Sequence, residues 1–275
     1  LEPEMVNPQS ELYQKHPDWI ITQPKRTPIL GRHQEILDLT RPEVQAFEWQ
    51  VIDKTLRPNP DISYVKWDCN RYITQPGSGY LQPAEQSHLW IDYNWALYRL
   101  MERFSKEFPN VMAMLCAGGS GRVDYGALPY FHSFWPSDNT DPLGRIKIQW
   151  GFSHFFPAST ISAHVTRMGK RHLKLAIDVA LSGAFGIDLA LDKATAEERV
   201  QIADAVKLYK ASIRPLVMQG ELYRLVSPYE HPMASLSYVS TDKNDAVVYL
   251  YQIQDGSVPQ VILGGLDARK NYRVE

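Results

Sequence analysis

The sequence predicts an α/β protein: a (β/α)8 TIM barrel lacking its first strands over residues 1–219, then a small antiparallel β domain over residues 220–275. Three observations support this. From residue 36 to about 215, strand-like runs alternate with helical stripes, the pattern of parallel strands joined by helices. Beyond residue 220, "ELYRLVSPY", "ASLSYVSTD", "AVVYLYQIQ" and "QVILGGL" read as short strands parted by Pro, Asp, Asn and Gly, with no helical stripe between them. No glycine-rich dinucleotide or phosphate-loop fingerprint opens a helix, which weighs against a doubly wound open sheet.

The elements follow in order. "DLTRPEVQAFEWQVIDKTL" starts a helix, with Thr40 as N-cap, Glu43 three residues on and Pro42 in the first turn. "ISYVKWD" is a strand. A longer helix covers residues 87 to 108, where Trp90, Tyr93, Leu97, Leu100, Met101, Phe104 and Phe108 recur on one face. "VMAMLCAGG" is a buried strand ended by glycines, and "YFHSFWPSD" a further strand broken by Pro136. The run from Arg145 to Trp150 leads to "SHFFPASTISAHV", a strand with its loop, and "LSGAFGIDLAL" is the last strand of the series. Thr195 and Glu198 form a second capping box ahead of "ERVQIADAVKLYKASIRPLV". Strand ends number five, counting one implied by "EPEM", against the eight of a closed barrel.

Composition narrows the function. At 275 residues and 44% hydrophobic, the chain can bury one large core. A net charge of −2 without a basic stripe argues against nucleic acid, and no apolar run approaches a membrane span. Seven Trp and fifteen Tyr suit carbohydrate handling, although core packing is the commoner use of aromatics. Cys69 and Cys116 allow one disulfide at most, and free buried thiols are the default. His154 and His164 lack compact metal-ligand spacing, so no metal or cofactor is expected. No serine occupies a nucleophile elbow. The opening "LEPEMVNPQS" reads as cut from something longer, so no compartment is assigned, and self-association is left open.

In barrels of this kind chemistry gathers where strands exit. Three exits are loaded: Lys66-Trp67-Asp68-Cys69-Asn70-Arg71, then Cys116 to Arg122, then Trp135-Pro136-Ser137-Asp138. Two aspartates at separate exits can face one cleft, and paired carboxylates suit glycoside hydrolysis. Lys66 shares a strand face with Asp68 and would keep it ionised, as a nucleophile requires. Asp138 follows an aromatic and a proline, so a drier setting and a raised pKa would suit a general acid. The bland alternatives are an ion pair for Asp68 and a cap, on a helix beginning near Thr140, for Asp138.

"YVKWDCNR", "CAGGSGRVDYGALPY" and "WPSDNTDPLGRIKIQWG", preceded by "EPEMVNPQSELYQKHPDW" and "GRHQEILDLTRPEV", resemble glycoside hydrolase family 36, the α-galactosidases. The resemblance runs through almost the whole chain. It implies hydrolysis of terminal α-linked galactose in oligosaccharides of the melibiose and raffinose type, with retention through a covalent galactosyl intermediate. Asp68 would be the nucleophile and Asp138 the acid/base, with Asp141 in support. Lys66, Asn70 and Arg32 would hold sugar hydroxyls. Cys116, Gly118 and Gly119 would lie near the C2 substituent, and Trp135 would line the cleft. The family's glycine block commonly reads CSGGGGR; here it is "CAGGSGR", which leaves α-N-acetylgalactosaminidase activity as the close alternative. A non-catalytic sugar-binding fragment is the alternative of a different class. The family's first barrel strands have no counterpart in this sequence.

Overall fold

The computed structural model describes residues 1–274 of the 275 and divides into two compact units, residues 1–134 and 135–275. The first unit opens with β1 (Met5–Val6), α1 (Glu11–Lys15), β2 (Glu35–Ile36) and α2 (Pro42–Leu56). It continues with β3 (Tyr64–Asp68), α3 (Leu89–Glu107), β4 (Met112–Cys116) and β5 (Ser133–Phe134).

β3, β4 and β5 form a parallel sheet in that order, and β1 pairs antiparallel with β2. β4 is buried from Ala113 to Cys116, as a parallel strand covered on both faces must be. β3 alternates instead. Val65 and Trp67 are buried, while Lys66 and Asp68 share the opposite side. α3 buries Leu89, Tyr93, Ala96, Leu97, Leu100, Met101 and Phe104 at helical spacing. Trp90, expected on that stripe, is 49% exposed.

Two local expectations change. Thr40 does not cap α2; the N-cap is Arg41, with no side-chain cap bond. The Thr40 hydroxyl instead donates to buried Asp38 at 2.6 Å, a partner that outcompetes a helix terminus already opened by Pro42. The strand end implied by "EPEM" becomes the short antiparallel β1. Upstream of it, Leu1 meets β3 as a parallel neighbour would: its amino group donates to Lys66 O and its carbonyl accepts from Asp68 N, both at 2.8 Å.

The second unit holds α4 (Pro142–Phe152), β6 (Ser162–Val165), α5 (Leu173–Ala180), β7 (Ala184–Ile187) and α6 (Ala196–Leu208). A π turn (Tyr209–Ile213) joins α6 to α7 (Arg214–Gln219), and β8 (Glu221–Val226), β9 (Met233–Val239) and β10 (Ala246–Gln252) follow. β6 and β7 are parallel, and the expected Thr195–Glu198 capping box heads α6. β8, β9 and β10 form an antiparallel meander with β9 central and wholly buried. "QVILGGL", expected as a fourth strand of this module, joins no ladder among the described residues. Its two glycines, with Gly265 at φ 79, turn the backbone out of extended geometry.

The meander is sewn to the helices by tyrosines. Tyr238, Tyr249 and Tyr251 donate to the carbonyls of Ser182, Leu181 and Asp178, at 2.7, 2.8 and 3.1 Å. Their rings enter one core with Val179, Ala180, Ile213 and Val217. No helix of the described residues is long and apolar enough to cross a membrane.

Candidate active site

Asp68 ends β3, at the C-terminal edge of the parallel sheet, and is 8% exposed. The β3–β4 register sets it directly beside Cys116. Lys66, two residues back on the same face, places Nζ 3.1 Å from Asp68 Oδ2. Burial disfavours the Asp68 charge. Interactions with Asn70, Lys66 and the Cys116 thiol outweigh that and hold the carboxyl below its ordinary pKa. The other oxygen, Oδ1, is buried and accepts no hydrogen bond among the described residues. An ionised carboxylate with one oxygen held and one free can attack a carbon.

The neighbouring candidates assemble around it. Asn70 Oδ1 accepts from Arg32 Nη1 at 3.1 Å, and its amide donates to Glu2. Gln34 Nε2 ties the other Glu2 oxygen at 2.7 Å. Lys66 and Asn70, predicted from one stretch, and Arg32, predicted from another, therefore fall in one unit, with Arg32 set on Asn70 two residues past Asp68. Cys116 is buried and unoxidised, and burial pushes its thiol up to about 11, so it is a neutral neighbour. Cys69 is likewise a free thiol, pushed up to about 12 by burial. Gly118 and Gly119 turn the chain off β4 at φ 57 and 88, in the left-handed region that favours glycine. A Cβ on Gly118 would come 3.3 Å from the Tyr72 hydroxyl, so the loop lies close under that exposed ring.

Asp138 belongs to the second unit and has a different setting. Trp135 is buried and its Nε1 donates to Asp138 Oδ1 at 3.0 Å. Behind the indole, the Arg145 guanidinium lies 4.9 Å from the ring centroid, and His164 packs edge-on at 4.8 Å. Arg145 donates to the carbonyls of Ser137 and Ser162, and burial draws its pKa down to about 10, so it stays charged at neutral pH. The drier setting expected for Asp138 is not found, because its side chain is exposed. It lies four residues past the end of the two-residue β5, where the backbone bends. Nor does it cap a helix. Asp141 is the N-cap of α4, accepting from Leu143 N at 3.4 Å and pairing with Arg171 at 3.3 Å.

Sequence reading missed a buried polar cluster behind β3. Glu4 accepts from Trp67 Nε1 at 3.1 Å and from the Tyr93 hydroxyl, and pairs with Arg122. Glu48 is fully buried beside it, and neither of its oxygens has a hydrogen-bond partner among the described residues. Burial and the Glu4 charge push its pKa well up, against the pull of Arg122, so it is held as the neutral acid. A signal was present: Glu48 interrupts the Val44–Ile52 apolar stripe of α2 at helical spacing.

Parallel strands joined by helices, with a carboxylate held low by Asn70, Lys66 and the Cys116 thiol at one strand's exit, define a β/α protein. The family is narrower. Residues 1–220 match the family model described as Melibiase, and the chain belongs to that family. It is 40% identical to alpha-galactosidase AgaA of Geobacillus stearothermophilus over 284 residues, which take in 100% of this chain and 39% of that protein. With alpha-galactosidase 1 of Pediococcus pentosaceus it shares 36% over 282 residues, 99% of this chain and 38% of that one. The crystal structure of the GH36 enzyme AgaA matches with a TM-score of 0.92 at 40% identity, over 98% of this chain and 38% of the other. An AgaA variant in complex with raffinose matches with a TM-score of 0.93 at 39% identity, over the same shares. The chain thus spans about two fifths of the length of these relatives.

Proposed function

We propose that this chain supplies both catalytic carboxylates of a retaining α-galactosidase acting on terminal α-linked galactose in oligosaccharides of the raffinose type. The observation that carries the reading is Asp68: an ionised carboxylate at a parallel-strand exit, steadied through one oxygen and unpartnered at the other. Asp68 attacks the anomeric carbon while Asp138 gives its proton to the departing glycosidic oxygen. Asp138 then takes a proton from water, whose oxygen displaces Asp68, and two inversions give net retention. Lys66, Asn70 and Arg32 bind sugar hydroxyls; Cys116, Gly118 and Gly119 border the C2 side; Trp135 orients Asp138.

The relatives support these roles. The AgaA variant solved with raffinose carries an Asp-to-Asn change, and the variant solved with stachyose an Asp-to-Ala change. Those two aspartates are separated by the same number of residues as Asp68 and Asp138. Removing a catalytic carboxylate is how an intact substrate is kept in a site. The parallel strands belong, on this reading, to a (β/α)8 barrel completed by strands other than those in this chain. We place the end of the catalytic part at residue 219, supported by the extent of the family match and the start of the meander at Glu221.

The test is the full-length protein on aryl α-galactoside against aryl α-N-acetylgalactosaminide, with the first-formed sugar followed by NMR. Faster turnover of the galactoside with α-galactose appearing first is expected. First-formed β-galactose would overturn retention, and preference for the acetamido sugar would move the reading to α-N-acetylgalactosaminidase. No turnover of either would leave sugar binding without catalysis.

A further inference from the structure

The turn bearing Arg32 is strained. Gly31 and Gln34 exchange N–H···O bonds of 3.2 and 2.9 Å across it, closing a two-residue hairpin turn. Its central residues, Arg32 and His33, stand at φ 53 and 61. Asn-Gly or Gly-Gly fill such a turn readily, whereas two residues bearing long side chains do so at a cost. Strain of this kind persists only where the surroundings over-determine it.

Arg71 is what over-determines it. One guanidinium nitrogen donates to Ile29 O on the arm entering the turn and pairs with Glu35 Oε2, at 3.2 Å, on the arm leaving it. Both charged side chains are nearly sealed from solvent, at 5% and 1% exposure. The Arg71 stem fills the space beside Gly31, where an added Cβ would meet Cγ at 2.9 Å. Gln75, four residues on, holds the entering arm again through Ile29 N at 2.8 Å and Thr27 O at 3.0 Å. Asn70, which receives Arg32, directly precedes Arg71. A buried ion pair kept for stability alone is a poor investment, since apolar residues of similar volume often serve as well. This one grips both arms of a turn whose exposed product is Arg32 set on Asn70.

We propose that Arg71 is a positioning residue: it keeps the 29–35 turn in its strained form so that Arg32, set on Asn70, presents one fixed set of donors to a sugar hydroxyl. The proposal rests on the reading that Arg32 and Asn70 contact substrate. A double-mutant cycle in the full-length protein, assayed on aryl α-galactoside, tests both. Arg32→Ala and Arg71→Lys should each raise KM about tenfold, with kcat changed much less, because a lost ground-state contact appears in KM. The double variant should be no worse than Arg32→Ala alone. Effects that multiply would overturn the proposal, because Arg71 would then act on something other than Arg32. A raised KM for Arg32→Ala with an unchanged KM for Arg71→Lys would overturn it too, leaving the sugar-contact reading standing. An unchanged KM for Arg32→Ala would sink that reading and the proposal with it. Should Arg71→Lys show no cooperative thermal transition, Gly31→Ala, which crowds the Arg71 stem, takes its place in the same cycle.

Discussion

The two strand exits that bear the aspartates are built in opposite ways. Asp68 is buried, gripped by a lysine and bordered by a neutral thiol, and its carboxyl is held low. Asp138 is exposed, past the end of its strand, with one oxygen resting on an indole N–H. The first environment keeps a charge in place before any substrate arrives. The second rests an exposed carboxyl on a buried indole. The first setting is the one a nucleophile needs; exposure alone does not supply the protonated start that a general acid needs.

Substitutions can break this contrast. The largest effect should come from Asp68→Ala, which removes the oxygen proposed to attack and should lower kcat on the order of 10⁵-fold, as loss of a nucleophile does elsewhere. Added azide should restore turnover and yield β-galactosyl azide; retained activity without azide would remove Asp68 from its role. Asp138→Ala should come next, slowing raffinose roughly 10²- to 10⁴-fold while aryl galactosides with good leaving groups lose far less. Equal losses on both substrates would argue against acid catalysis at Asp138.

Lys66→Met should cost least, about 10- to 100-fold, as expected for a lost hydrogen bond to a charged group. It also carries a pH signature. Lys66 lowers the Asp68 pKa, so its removal should move the acid limb of kcat/KM to higher pH. The stability linkage has the same sign. A depressed folded pKa contributes stability above the unfolded carboxylate range, and that contribution is lost as pH falls through the folded value. Urea unfolding of Lys66→Met against the parent protein, in steps down from neutral pH, should show the variant losing less stability on the acid side. An unmoved acid limb would mean that Lys66 does not hold the charge on Asp68.

Much of this was legible in the chain. Lys66 and Asp68 fall on one face because strand side chains alternate, and the 3.1 Å ion pair between them bears that out. The α6 capping box was legible because Thr195 and Glu198 satisfy each other within one turn. Local competition decided what was misread. Thr40 had the spacing of a cap, but buried Asp38 offered its hydroxyl a better partner. The setting of Asp138 was misjudged because an aromatic and a proline before it in the chain say nothing of where solvent lies.

By itself, then, the sequence determined the alternation of strand and helix, the change of texture near residue 220, and the charged and thiol side chains at the ends of β3 and β4. Those depend on residues close in the chain, where periodicity and capping act. Tertiary structure alone decided which distant groups meet: Glu4 with Arg122, Arg71 with Glu35, and the meander's tyrosines with the carbonyls after α5. A buried polar group must find a partner or stay neutral, and its partner is chosen by packing across the fold rather than by spacing along the chain.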